Sequence, residues 1–134
     1  MIEHARAFAA EVHYWVRKLG VLGWEIAVAI ERLPADTRAK CVYTEGNRWA
    51  RIVLNERHLP NLTAEQVARS AFHEVLHLVL QPLADLAKER SEEPEHAVIR
   101  TLENTLWAED WARRSAPSAQ PPALEPVPAL AGAM

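Results

Sequence analysis

Apolar positions along the chain change period several times, and each change predicts an element. Ile2, Ala5, Ala9, Val12, Val16 and Leu19 recur at steps of three and four, with Phe8 and Trp15 beside them. That spacing predicts an amphipathic helix, stopped by Gly20. From Trp24 the period becomes two: Trp24, Ile26, Val28 and Ile30 alternate with Glu25, Ala27, Ala29 and Glu31, the pattern of a half-buried strand. After the turn "PADTR", the β-rich runs "AKCVYT" and "RWARIVLN" are joined by "EGN", a hairpin in which Gly46 or Asn47 takes the positive φ. "ERHLPN" reads as a loop. Thr63 followed by Gln66 is a capping-box signature for a long helix that Pro82 ends or bends. Ser91 caps a last helix, with Pro94 tolerated in its first turn, running to about Arg114. The order helix, three strands, helix, helix predicts an α+β fold. Its small antiparallel or mixed three-stranded sheet lies against the N-terminal helix, the central helix and the C-terminal helix. Residues 1–114 form the domain. Residues 115–134, with five of the nine prolines, form an extended or disordered Pro/Ala-rich tail.

The central helix carries the chemistry. At about 100° per residue, with His73 at zero, His77 falls at about 40° and Glu74 at about 100°. Gln66 and Ser70 share this polar stripe, while Val67, Ala68, Ala71, Phe72, Val75, Leu78 and Val79 fill the opposite arc. Leu76 and Leu80 close in on the other side, so His77 is flanked by apolar surface. Histidines four apart stand one turn from each other, roughly 5–6 Å between Cβ atoms, and can converge on one metal ion. Glu74 beside them is suited to a metal-bound water rather than to the metal. This is the H-E-x-x-H arrangement of two zinc ligands and a general base.

A catalytic zinc takes three protein ligands and keeps a fourth position open. Candidates downstream are Glu92, Glu93, Glu95, His96 and Glu103. With Glu95 at zero, it is surrounded on an apolar face by Ile99 (about 40°), Leu102 (about 340°), Leu106 (about 20°) and Val98 (about 300°). A carboxylate pointing into a core needs a partner or a metal, which favours Glu95 as third ligand. His96, on the margin of that face, is the alternative.

Composition narrows the classes of function. With 134 residues, 49% hydrophobic and 25% charged, the chain is an ordinary one-domain sequence able to bury a core. The lone Cys41 cannot form an internal disulfide, and the N-terminal stretch does not read as a signal peptide, so a cytoplasmic setting is expected. No apolar run suits a membrane span. A net charge of −3 with scattered basic residues argues against nucleic acid as partner. Oligomeric state is left open.

"HEVLH" followed by "EHAVIRTLENTL" resembles the HExxH zinc metallopeptidases, the zincins. It is most similar to the compact gluzincin-like group of phage- and prophage-type peptidases, whose third ligand is a glutamate on the next helix. The likeness covers roughly residues 20–114. It implies zinc held by His73, His77 and Glu95, with Glu74 as base and a peptide or protein as substrate. It further implies that "RWARIVLN" offers a strand edge to that substrate, with Val53, Leu54 and Asn55 as contacts. Tyr14, Tyr43, His13 and His58 are the available oxyanion-stabilising groups, and the pattern selects none of them. A non-catalytic zinc module that binds peptides, or a small zinc nuclease, are the rival readings.

Overall fold

A computed structural model describes residues 2–21, 23–44, 46–86 and 92–116. The elements follow the predicted order: α1 (Ile2–Lys18), β1 (Glu25–Glu31), β2 (Ala39–Thr44), β3 (Trp49–Asn55), a 3-10 helix (Glu56–Asn61), α2 (Ala64–Leu86) and α3 (Glu92–Leu102). A π-turn (Glu103–Trp107) then leads into α4 (Ala108–Ser115). The fold is α+β. The cap expected at Ser91 and the tail beyond Ala116 lie outside the described residues.

The sheet is mixed, in the order β1-β3-β2. The β2–β3 hairpin is antiparallel, and its second strand lies parallel to β1, with Val28 opposite Ile52. One sheet face carries Ile26, Val28, Ile30, Ala50, Ile52 and Leu54 into the core. There they meet Phe8, Val12 and Trp15 of α1 and Val67, Phe72 and Val75 of α2. Trp15 sets its ring edge against Phe72 at 4.6 Å, a favoured aromatic geometry. No helix among the described residues is long and apolar enough to cross a membrane.

Local chemistry explains the boundaries. The capping box forms as spelled: Thr63 N–H donates to Gln66 Oε1 at 2.9 Å, and Gln66 N–H donates to Thr63 Oγ1 at 3.1 Å. Pro82 does not end α2, which runs on to Leu86. In the hairpin, the positive φ falls on Arg48 (52°) rather than on Gly46 or Asn47. Two contacts hold Arg48 there: its carbonyl accepts from Glu25 N–H at 2.9 Å, and its guanidinium lies 5.2 Å from the Trp24 ring.

The largest departure concerns β3. Expected to offer an edge through Val53, Leu54 and Asn55, it is the central strand, paired along both sides, and all three residues are fully buried. Asn55 is a structural hub instead. Its Oδ1 accepts from Leu33 N–H (3.1 Å) and Arg57 N–H (3.0 Å). Its Nδ2 donates to the carbonyls of Pro34 (2.9 Å) and Thr37 (2.6 Å). One amide thereby satisfies the main chain of the loop between β1 and β2. Asn55→Ala leaves these buried groups without partners and is expected to cost about 3 kcal/mol. A urea midpoint equal to that of the parent, at unchanged slope, contradicts this role.

Candidate metal centre

The polar stripe of α2 faces α3 and the π-turn across a groove of about 1470 Å³. Along α2 its lining runs from Glu65 to Leu83, about 27 Å at 1.5 Å per residue. The opposite wall is β2 and the turn before it, from Asp36 to Cys41, with Tyr43. Of the four groups considered for oxyanion stabilisation, Tyr43 alone lines the groove. Tyr14 is spent on Asp110, and His58 on the Ala35 carbonyl.

Three imidazoles meet at the middle of the groove. The rings of His73, His77 and His96 form a nearly equilateral triangle with centroid separations of 5.2, 5.4 and 5.2 Å. One donor atom from each lies within 4.8 Å of the others, so this set could hold a metal ion. Tetrahedral zinc at ~2.05 Å per Zn–N bond needs nitrogens about 3.3 Å apart, so the rings would draw in by up to about 1.5 Å from that spread.

Carboxylates fix two of the rings from behind. Nδ1 of His73 lies 2.6 Å from Glu103 Oε2, and Nδ1 of His77 lies 2.6 Å from Glu95 Oε2. A carboxylate only accepts, so each Nδ1 carries the proton and each Nε2 keeps its lone pair for the groove. Glu95, expected as third ligand, is thus placed on the back of His77, and His96, the alternative, completes the donor group. The reason is the rotation of α3. Val98 and Leu106 are 46% and 38% exposed, whereas Ile99 and Glu103 are buried. The buried face is therefore centred nearer Glu103 and His96 than Glu95.

Electrostatics follow from this crowding. Glu74 is buried and makes no hydrogen bond among the described residues. Burial pushes its carboxyl up to about 7, with Glu103 and Glu95 adding to the rise against the His73 charge. Burial also disfavours charge on both helix histidines. At His73 the Glu103 hydrogen bond and the nearby acids outweigh it, and the pKa is raised. At His77 burial wins despite Glu95, helped by His73 and His96, and the pKa is lowered. Glu103 is held below the carboxylate range because hydrogen bonds from His73 and Arg69 overcome burial. Cys41 faces the same acids; burial first, then Glu74 and Glu95, push its thiol up to about 12.

No family model matches the chain, and no curated protein matches it. Among solved structures, the zymogen of the metallopeptidase jannalysin from Methanocaldococcus jannaschii is similar over 71% of this chain and 96% of that chain. The TM-score is 0.41 and the identity 18%. At that level the likeness carries no weight beside the geometry of the site.

That geometry predicts unequal effects of two neighbouring substitutions. His96→Ala should weaken zinc binding on the order of 100-fold or more, and Glu95→Gln by about tenfold, in competition with a chromogenic chelator. The reverse order would place the carboxylate, not the imidazole, on the ion.

Proposed function

We propose that the chain is a zinc-dependent peptidase that hydrolyses peptide bonds of an extended substrate, with His73, His77 and His96 holding the metal and Glu74 as general base. The observation that carries this reading is the carboxylate of Glu74, on a residue 6% exposed, lining the groove beside three convergent imidazoles. Among the described residues the donor group has three members, which leaves a coordination position for water or substrate. Three histidines are a known catalytic zinc set, and imidazole nitrogen suits zinc over magnesium or calcium. A bound zinc would supply Lewis acidity, lowering the pKa of water towards ~7 and polarising a carbonyl. Glu74 accepts the proton of the attacking water and delivers it to the departing amine.

The groove suits an extended chain. About 27 Å accommodates roughly eight residues at about 3.3 Å each. Its strand edge belongs to β2. Asn55 N–H donates to the Arg38 carbonyl, and this register directs the main-chain groups of Lys40 and Val42 towards β3. Those of Ala39 and Cys41 point outward, available to pair with a peptide backbone. A phosphodiester fits less well, since Asp36, Glu65, Glu74, Glu95 and Glu103 outnumber Arg38, Lys40 and Arg69 in the lining. A purely structural zinc site would close the fourth position, and no described residue does so.

Glu74→Gln is expected to retain zinc within a few-fold and to lose cleavage of an unfolded protein mixture by about 10²-fold or more, followed by mass spectrometry. Cleavage at the parent rate by zinc-loaded Glu74→Gln removes Glu74 from the chemistry.

A further inference from the structure

We infer that Arg69 is a positioning residue for His73, acting through Glu103. The inference rests on the metal-site reading above, but its test does not depend on catalysis. Arg69 and His73 are four apart on α2 and stand on one face, one turn from each other. Glu103, reaching across from the π-turn, spans both. Its Oε1 accepts from Arg69 Nε at 2.7 Å and its Oε2 from His73 Nδ1 at 2.6 Å. Both oxygens are occupied, and the carboxylate has one orientation.

Arg69 does more than neutralise. A terminal nitrogen donates to Asn104 Oδ1 at 2.7 Å, and the guanidinium lies 5.4 Å from the centroid of the Trp107 ring. One side chain therefore fastens Glu103, its chain neighbour and the buried tryptophan one turn on. All three belong to the π-turn. A π-turn accommodates one extra residue, and here Glu103 and Trp107 are both buried against α2. An ammonium could approach Glu103, but it cannot combine the planar fork with stacking on Trp107. Arg69 itself lies outside the donor group of three histidines. Its effect on a metal has to pass through the orientation and tautomer of His73. A neutral imidazole bears its proton on either nitrogen, and the hydrogen bond at one decides what the other can do.

The test compares Arg69→Ala, Arg69→Lys and Glu103→Gln, singly and with Arg69→Ala combined with Glu103→Gln. The tautomer of His73 is read from long-range 1H–15N imidazole spectra of the metal-free protein. Zinc affinity is read by chelator competition. The parent should show His73 protonated at Nδ1. Arg69→Ala should give mixed tautomers and about tenfold weaker zinc binding, with Arg69→Lys recovering part of both. In the Glu103→Gln background, Arg69→Ala should add nothing, because both act through one carboxylate. A lowered melting temperature with tautomer and zinc affinity unchanged makes Arg69 merely structural and overturns the inference, as do fully additive losses. Should Arg69→Ala fail to fold, Arg69→Lys and Glu103→Gln give the same two readouts. A parent that binds no zinc defeats the metal-site reading, while the tautomer comparison still decides the role of Arg69.

Discussion

Two hydrogen bonds from imidazole to carboxylate hold the site together, and both cross from α2 to the helical segment after it. His73 is tied to Glu103 and His77 to Glu95, each at 2.6 Å. Two such ties, eight residues apart on the second segment, set its rotation about its own axis. His96 is then directed between the other rings because it adjoins Glu95 in sequence and sits roughly 100° round the helix. The same bonds make burial tolerable. Glu103 is 7% exposed, a position that an unpaired carboxylate would occupy only at high cost. Each acid compensates an imidazole, and each imidazole compensates an acid.

Three carboxylates converge on this region, and the sign of their field is visible in independent groups. Glu74 is raised by burial and by its acidic neighbours, and the Cys41 thiol on β2 is raised by burial and two of the same acids. Among the described residues, Arg69 is the cation tied directly to this set, through Glu103. A divalent ion among the imidazoles would relieve a repulsion that the protein itself only partly balances. Glu74 differs from the other two acids. Glu95 and Glu103 spend an oxygen on a histidine, whereas Glu74, buried without a hydrogen bond among the described residues, keeps its acceptor capacity for a ligand. Three glutamates of identical chemistry thus have separate parts, set by what each one faces.

Much of the fold was legible because its signals are local. The Thr63–Gln66 box, the alternation of β1 and β2 and the stripe of α2 each depend on residues within a few positions. The strand order is not local. Alternation within a strand says which face is buried, not which strand lies beside it. A signal was present all the same: "IVLN" in β3 is buried on both faces, the mark of a central strand rather than an edge. The same limit applies to the second helical segment. Counting at a uniform step of about 100° centred its buried face on Glu95, through Val98 and Leu106, yet both are exposed in part. The π-turn breaks that uniform count after Leu102, and no local residue preference marks a π-turn. Trp107 and Trp111 pack on each other, with rings stacked at 5.8 Å.

The position of β3 decides which strand edges the small sheet leaves open. A strand bonded on both sides has no main-chain groups to offer, so the open edges of the sheet are those of β1 and β2. Of these, β2 borders the groove. Its inward residues are Ala39, Cys41 and Tyr43, and the thiol of Cys41 is close enough to Glu74 and Glu95 to feel both charges. Cys41 and Glu74 thus line the same groove, one from the outer strand and one from α2. The parallel pairing of β1 with β3 completes the logic. It buries the central strand and leaves the antiparallel β2 at an edge of the sheet, bordering the groove that holds the histidines.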